Sequence, residues 1–483
     1  MSSSTQGLSS VATGSAPAEV ISSKEIDASC RWPLLVFFSS AAFWFLFSTV
    51  LGLINSIKLH SPNFLAHCPW LTYGRLRPAQ TDSFVYGFAA PAAFGVTLWL
   101  FCRLGRTRLI APGFLAMAAK IWNIGVLVGA VGIMAGDGAG FEWLNFPRYA
   151  SLILFIAYVF IGIWAVLTFK VRQQDQLFPS QWYLLAALFW FAWIYSAANL
   201  LLVFSPVRGV VQLCVNAWYA SNLLNVWLSV VGVGVIFYFI PKLISRPLHS
   251  YYLSLVAFWG IALFGGWSFI NTNAPLPSWI PALSSVFTLM MILPIVCVAL
   301  NVHGTLSGDF KSVRTNPILS FIVFGAFSFL IAQSMNVLSA FRPLNEKLFF
   351  TYFTAGQAHW LLQGFFASVA FGAIYYIAPR VIGVDLVQQK SIRRHLLVFV
   401  AGVIIYGLAL TLGGIVQGAN LNNASVPFDE VIKGTLPFLH ASTIGSLLLV
   451  IAGLLFAVNL SSLCFNCVWG MGKQLVKKGE ERP

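Results

Sequence analysis

The chain alternates long apolar stretches with short polar connections from residue 33 almost to its end. Each stretch holds about 20 residues or more, enough for a helix to cross the roughly 30 Å hydrocarbon core of a bilayer. The stretches fall at residues 33–55, 82–104, 112–136, 147–169, 181–204, 210–240, 252–272, 277–302, 316–339, 350–377, 396–416 and 437–467. The pattern predicts an all-α polytopic membrane protein with twelve transmembrane helices and both ends on the same side.

Composition supports this class and defines the tails. The chain is 58% hydrophobic and 9% charged, whereas soluble proteins carry about 25% charged residues. Residues 1–32 are rich in Ser, Ala and Gly. We predict that they form a disordered tail, because they hold few bulky apolar groups. Residues 33–467 form one predicted twelve-helix domain, and a basic tail follows at 468–483.

The basic residues predict the orientation. Nineteen of the 28 Lys and Arg residues lie in the tails and even-numbered connections, eight lie in the odd-numbered connections, and Lys120 lies inside the third stretch. Cytoplasmic connections carry the excess of Lys and Arg, so both tails are predicted to be cytoplasmic. The basic residues form no long patch, so the net charge of +14 does not indicate nucleic-acid binding. Lys120 needs an acidic partner or a deprotonated state if it is buried, or else it extends toward the membrane surface.

His359 is the first functional candidate, because a histidine inside a spanning helix costs free energy unless it has a partner. Gln357 lies two positions before it. Residues i and i+2 are about 200° apart around a helix, so the two side chains point to opposite sides. A helix with histidine at both positions could hold one metal group on each side. This chain has an amide on one side and an imidazole on the other.

Four segments resemble a known family. Residues 73–88 read YGRLRPAQTDSFVYGF, and residues 239–254 read FIPKLISRPLHSYYLS, after WYASN at 218–222. Residues 437–459 read PFLHASTIGSLLLVIAGLLFAVN, and the predicted tenth helix contains GQAHW. Together they resemble the large catalytic subunit, subunit I, of the haem-copper oxidase superfamily. The cbb-type cytochrome c oxidases are most similar and the nitric oxide reductase large subunit is next. The resemblance covers all twelve helices and implies a subunit I-like bundle in the bacterial inner membrane.

The resemblance also implies where metal ligands would lie. In the family, histidines bind a low-spin haem, a high-spin haem and a copper ion, and a tyrosine supports oxygen cleavage. The low-spin haem positions are Gln80 and His359, the high-spin haem position is Gln357, the copper positions are Ser221, Asn271 and Thr272, and the tyrosine position is Gly265. Of these, only His359 keeps its histidine. Arg75 and Arg77 occupy positions where the family has cations near the haem propionates, and they are candidates for propionate or other anionic contacts such as lipid headgroups.

Ligand chemistry then predicts which cofactors are lost. Haem iron takes imidazole, thiolate, thioether or phenolate ligands, and copper prefers imidazole or sulfur. Amides, hydroxyls and glycine do not replace them, so we expect no copper and no high-spin haem. His359 has two interpretations. It is a neutral, iron-free histidine with a hydrogen-bond partner such as Gln80, a backbone carbonyl or water, or it is the ligand of a single low-spin haem b.

The remaining ionisable residues are weaker candidates. Asp82 is expected to cap the second helix. His60 and His67 are expected to be solvated in the first outer connection, and His395 to be at the cytoplasmic surface. His249, His303 and His440 lie in connections or near helix ends. We also expect bulky side chains or lipid to fill the space that haem occupies in the family, because an empty apolar cavity is costly. The candidates for filling it are Trp218, Phe269, Trp360 and Phe365.

The sequence therefore favours a degenerate subunit I that serves as a non-catalytic scaffold of a respiratory electron-transfer complex. Its expected partners are c-type cytochromes or other subunits of the complex, together with membrane lipid. The second interpretation is an electron-transfer subunit with one low-spin haem on His359, which accepts electrons from quinol or cytochrome c. A working oxidase or nitric oxide reductase comes third. A transporter is disfavoured because paired Gly/Pro breaks are not evident and because the spans hold few acidic residues.

Overall fold

The computed structural model describes residues 21–268, 270, 275–384 and 388–480, with side chains through residue 463 and at 465. The described residues form twelve principal helices and no β-strand. The helices are α1 Ser23–His60, α2 Tyr73–Gly105, α3 Pro112–Ala135, α4 Arg148–Lys170, α5 Pro179–Phe204, α6 Val210–Ile244, α7 Tyr251–Gly265, α8 Trp279–Leu306, α9 Pro317–Leu338, α10 Tyr352–Ile382, α11 Gln389–Leu421 and α12 Phe428–Glu480. The prediction of an all-α polytopic membrane protein is confirmed.

Within the described part of the chain, eleven of these helices are long and apolar enough to cross a membrane, and α7 is shorter. The stretch predicted for α7 extended to residue 272, and its end falls at 269 and 271–274, outside the described residues. Short helical segments in the connections lie at Pro69–Leu71, Phe310–Thr315 and Arg342–Leu348.

The helix at each end of the chain extends into its predicted tail. α1 begins at Ser23, ten residues before the predicted boundary, because the Ser22 side chain accepts a hydrogen bond from the Glu25 backbone N–H. The Asp27 carboxylate on the first turns pairs with Arg103 of α2 at 3.3 Å. At the other end, α12 continues to Glu480. α1 therefore includes residues 23–32 of the segment predicted to be disordered, and α12 continues through most of the predicted basic tail, while residues 1–20 lie outside the described part.

Three helices form the centre of the bundle. In their most apolar windows, α2, α6 and α10 are 100%, 83% and 94% buried, whereas the other spans that could cross a membrane are between 39% and 61% buried. A helix that is apolar on all sides is expected to lie inside a bundle rather than at its surface. These three helices carry the motifs at 73–88 and 218–222 and the residue His359. The motif residues are thus collected in the core.

Each central helix contains a π-helical turn that begins one to three residues after a candidate site residue. The turns span Ser83–Ala89 in α2, Asn222–Leu228 in α6 and Trp360–Ala367 in α10. They follow Gln80, Ser221 and His359. A π-helical turn inserts an extra residue into the helix, changes the direction of the side chains around it and occurs frequently at functional sites. The backbone around the three positions is therefore specialised, although only His359 of the three has a side chain that binds haem iron.

Close backbone contact joins α11 to the beginning of α10. A Cβ atom added at Gly414 would lie 2.0 Å from the Phe353 backbone nitrogen, and one added at Gly418 would lie 2.0 Å from the Lys347 carbonyl oxygen. Only glycine allows this approach, because any side chain would overlap backbone atoms that cannot move independently. This contact brings α11 against the end of α10 that holds His359.

Two expectations about polar residues are wrong. Asp82 is not a helix cap, because α2 begins at Tyr73 and Asp82 is fully buried. Its carboxylate accepts a hydrogen bond of 2.6 Å from the Asn145 backbone N–H and thereby holds the connection between α3 and α4. His395 is not at the surface, because α11 begins at Gln389, before the predicted residue 396. The early start places His395 on a buried helical face.

The His395 imidazole belongs to a polar cluster among aromatic rings. Its Nδ1 lies 2.9 Å from the Tyr375 hydroxyl, which also accepts a hydrogen bond of 2.9 Å from the Asn459 side-chain amide. The rings of Phe371 and Phe321 lie 4.8 and 5.1 Å from the imidazole centroid.

Lys120, in contrast, is exposed on the surface of α3. Of the alternatives for Lys120, extension toward the membrane surface is therefore favoured.

Candidate functional site

A cavity of about 910 Å³ lies among α1, α2, α6, α10 and α11. Its size falls in the range of about 300–1,000 Å³ that is typical of small-molecule and cofactor sites. Its wall includes Gln80, Ser221, Gln357 and His359. The structure therefore brings together every described residue of the family's metal-binding positions. Asn271 and Thr272 lie outside the described residues. Gly265 contacts the site through the hydrogen bond to Ser221 described below.

Side chains do not fill this cavity, so the expectation that they would is wrong. Trp360 and Phe365 pack between helices instead, where glycines make room for their rings. A Cβ atom added at Gly407 would lie 2.7 Å from the Trp360 ring, and one added at Gly232 would lie 2.2 Å from the Phe365 ring. Trp218 is paired with the ring of Trp193 at 6.3 Å. Phe269 lies outside the described residues.

His359 is a buried residue in contact with α11. Its Nε2 atom lies 3.2 Å from the carbonyl oxygen of Val403, and its ring packs on Tyr406 with a centroid separation of 4.4 Å. A carbonyl oxygen only accepts hydrogen bonds, so Nε2 carries the proton and donates. Of the partners predicted for His359, the structure shows a backbone carbonyl, that of Val403. In this arrangement Nε2 has no lone pair available for a metal ion.

Gln80 forms an amide pair with α1. The Asn55 side-chain nitrogen donates a hydrogen bond of 2.8 Å to the Gln80 side-chain oxygen. The Gln80 side-chain nitrogen lies over Gly52, where an added Cβ atom would be 2.8 Å away. Gln80 is therefore hydrogen-bonded to Asn55 and not to His359, the partner that the sequence predicts for it. Gly52 is required because the amide occupies the space that a larger residue on α1 would fill.

Ser221 joins α6 to α7 by hydrogen bonds. Its hydroxyl oxygen lies 2.9 Å from both the Gly265 and the Ser268 carbonyl oxygens, and it accepts a hydrogen bond of 3.1 Å from the Asn225 amide. The hydroxyl donates to one carbonyl at a time, because it has a single proton. The position that the family uses for copper thus links the end of α7 to α6 in this chain.

Amide and hydroxyl groups are the main polar groups in the rest of the wall. The amide side chains that line the cavity are Asn55, Gln80, Asn216, Asn225, Asn336, Asn345, Gln357, Gln363 and Gln417. Among the wall residues that the structure describes, Arg77 and Glu142 are the charged ones, and they pair at 3.5 Å with both side chains at least half exposed. The cavity therefore combines uncharged polar groups with apolar surface, which makes up the larger part of its wall, and it has one ion pair with partly exposed side chains.

The two arginines differ in position. Arg77 is part of the cavity wall. Arg75 donates hydrogen bonds to the carbonyl oxygens of Pro69 and Met134, at 3.0 and 3.2 Å. Arg75 thus connects α2 to α3, and it is Arg77 that remains suited to an anionic contact. The sequence did not distinguish them, because both lie in one GRLRP motif.

The donor set does not fit the metal groups of the family. A low-spin haem needs two axial ligands in most cytochromes. The wall offers one imidazole, whose Nε2 donates to Val403 and whose Nδ1 keeps the lone pair, and the Gln80 amide, which is bonded to Asn55 and is a poor iron ligand. At the copper position, the Ser221 hydroxyl is bonded within the protein. Across the described residues, no three His, Cys, Asp or Glu side chains form a group that could hold a metal ion.

The fold and the cavity define a membrane protein of the oxidase subunit I type, and comparisons with known proteins agree. The family described as cytochrome c and quinol oxidase polypeptide I matches residues 33–448. The chain therefore belongs to this family.

Its curated relatives bear oxidase names. It is 27% identical to a cytochrome c oxidase subunit 1 homolog of Azorhizobium caulinodans, over 87% of this chain and 79% of that protein. It is 26% identical to the cbb3-type cytochrome c oxidase subunit CcoN1 of Stutzerimonas stutzeri, over 88% and 91%. A haem-copper terminal oxidase solved by cryo-electron microscopy has the same fold, with a TM-score of 0.75, 13% identity and coverage of 90% of this chain and 84% of that one.

Proposed function

We propose that this chain is a non-catalytic scaffold subunit of a respiratory electron-transfer complex and that it holds neither copper nor high-spin haem. The observation that supports the proposal is the hydrogen bonding at the family's ligand positions. Ser221 is bonded to carbonyl oxygens of α7 and its adjoining turn, and Gln80 is bonded to Asn55. These side chains now connect helices to one another. Residues that would bind the reacting metals are replaced by residues that stabilise the bundle.

A platform role also agrees with what the chain retains. The chain aligns over 84% of the length of the solved terminal oxidase chain, while the ligand chemistry changes. The relatives are named as oxidase subunits, so the partners we propose are c-type cytochromes or other subunits of a respiratory complex. The location we propose is the bacterial inner membrane with both termini cytoplasmic, since the Lys and Arg bias favours it.

A single low-spin haem on His359 is the competing function, and it has less support. The Nε2 of His359 donates to the Val403 carbonyl, so only its Nδ1 keeps a lone pair for iron. The opposite position would also have to supply a ligand, and Gln80 is an amide. We therefore propose that the chain holds no haem of its own.

The test is metal and haem analysis of the purified complex and of this chain after its partners have been removed. We expect no stoichiometric copper by elemental analysis and no carbon-monoxide difference spectrum from the isolated chain. Haem bands in the intact complex should follow the partner subunits when the complex is separated. Stoichiometric copper, or a carbon-monoxide-binding haem that stays with this chain, would overturn the proposal.

A further inference from the structure

His60 and His440 lie against each other, although they come from opposite ends of the chain. Their ring centroids are 4.3 Å apart and the ring planes are inclined by 33°. His60 is the last residue of α1, and His440 is on the exposed face of α12. The pair therefore joins the first and the last helix at the end of the bundle that the charge bias predicts to be outside.

Hydrogen bonds hold the two helices in register beside the pair. The Ser56 hydroxyl lies 3.2 Å from the Ser442 hydroxyl and 2.8 Å from the Thr443 hydroxyl. The Thr443 hydroxyl also lies 3.1 Å from the Nε2 atom of His60. The helices thus position both imidazoles in advance, and a site built on rigid elements loses less entropy on binding than one built on mobile loops.

The hydrogen bonds also determine which ring nitrogens can bind a ligand. Nδ1 of His440 lies 2.9 Å from the Leu436 carbonyl oxygen, so Nδ1 carries the proton and Nε2 keeps its lone pair. This is the arrangement of many metal-bound histidines, which donate their other N–H to a backbone carbonyl. The nitrogens of His60 face the hydroxyls of Ser61 and Thr443. A hydroxyl can rotate to donate or to accept, so His60 can adopt either tautomer, and a metal ion at one of its nitrogens would replace the hydroxyl contact of that nitrogen.

We propose that His60 and His440 form a site for a divalent transition-metal ion of the Zn²⁺ class. Imidazole is a preferred ligand of Zn²⁺, Cu²⁺ and Ni²⁺. Zn–N bonds are about 2.0–2.1 Å long, and ring centroids 4.3 Å apart are close enough for one ion to contact a nitrogen of each ring. The carboxyl end of α1 carries partial negative charge, which favours a cation there. In the described residues no third protein ligand joins the pair, so water completes the coordination.

The site does not depend on the cavity or on the scaffold function, since neither histidine is part of the cavity wall. Its effect is to tie α1 to α12 across the outer end. The metal would bind the native pair and not the unfolded chain, in which the two histidines are far apart. Zn²⁺ should therefore raise the thermal stability of the folded protein by mass action.

The test is a Zn²⁺ titration of the full chain, in its complex, purified with an affinity tag that contains no histidine. Calorimetry should show one ion per chain. His60→Ala and His440→Ala should each weaken binding by more than about tenfold. His67→Ala is the matched control, because it removes an exposed histidine from the connection that follows α1, and it should leave binding unchanged.

A second measurement separates metal binding from damage to the fold. Zn²⁺ should raise the thermal unfolding midpoint of the unchanged chain and leave that of His440→Gln where it is, while both unfold at similar temperatures without metal. Absence of stoichiometric Zn²⁺ binding would overturn the proposal. So would binding that survives either alanine substitution, or binding that is lost in His67→Ala.

Discussion

The hydroxyl oxygens of Tyr86 and Tyr219 lie 2.5 Å apart in the core, where they connect α2 to α6. Tyr86 also donates a hydrogen bond of 2.6 Å to the Trp143 carbonyl oxygen in the connection between α3 and α4. Its proton is used in that bond, so Tyr219 donates to Tyr86. Both tyrosines belong to the motifs by which the family is recognised. These motifs therefore contribute to packing as well as to the positions of metal ligands.

Removing this tyrosine pair should reveal energetic coupling between α2 and α6. Tyr219→Phe should destabilise the fold by about 1 kcal/mol, and Tyr86→Phe by somewhat more, because it also leaves the Trp143 carbonyl without its donor. The double variant should lose less free energy of unfolding than the two single variants lose together, since the hydrogen bond between the two tyrosines is lost only once. Denaturant unfolding in detergent measures the cycle. Tyr252→Phe changes an exposed tyrosine and, as the control, should leave the free energy of unfolding unchanged. If the losses of the two single variants add up to that of the double variant, the two hydroxyls do not interact.

Replacing His359 with Leu should change no visible absorbance of the complex. The substitution removes the hydrogen bond to Val403 and keeps apolar volume beside Tyr406, so assembly should remain nearly intact. His359→Gln is the polar control and should behave alike. Optical spectra of the oxidised and reduced complex provide the measurement. Loss of a low-spin haem band in the leucine variant would instead support the single-haem interpretation.

Asp82 should be important for the connection between α3 and α4. Asp82→Ala removes the acceptor of the Asn145 backbone N–H, and an unpaired buried donor costs about 1–3 kcal/mol. Asp82→Asn keeps one acceptor oxygen and should cost less. Asp175→Ala, at an exposed position, is the control. Thermal unfolding in detergent should give the lowest midpoint for Asp82→Ala, a higher one for Asp82→Asn and an unchanged one for Asp175→Ala. An Asp82→Ala variant as stable as Asp175→Ala would contradict the role of Asp82.

Gly414 should tolerate no side chain. An alanine Cβ there would meet the Phe353 backbone nitrogen at 2.0 Å, so α10 and α11 would have to separate. We expect Gly414→Ala to lower stability by more than about 3 kcal/mol or to prevent accumulation of the folded protein. Gly162→Ala is the matched control in the interior of α4, where the nearest atom outside the helix backbone is 3.9 Å away. It should be neutral or stabilising, because alanine favours helix. Accumulation and thermal unfolding compare the two.

The class of the protein and the order of its long apolar helices could be read from the sequence, because the length of an apolar stretch is a local property that the bilayer thickness sets directly. The presence of amide and hydroxyl side chains at the positions where the resemblance places metal ligands could also be read, and the absence of copper and high-spin haem stays a prediction. Helix ends were less predictable. α1 and α11 begin earlier than their apolar stretches because capping and long-range contacts, such as Asp27 with Arg103, extend them.

Only the tertiary structure decided which partners these side chains have. The partner of His359 is a carbonyl on α11, the partner of Gln80 is on α1, and His60 meets His440 of the last helix. No local pattern encodes these contacts, because each depends on how two distant helices pack. The cavity also escaped prediction. The rings of Phe365 and Trp360, which are predicted to fill it, pack instead against Gly232 and Gly407. The role of a glycine in packing is visible only when the residue facing it is known.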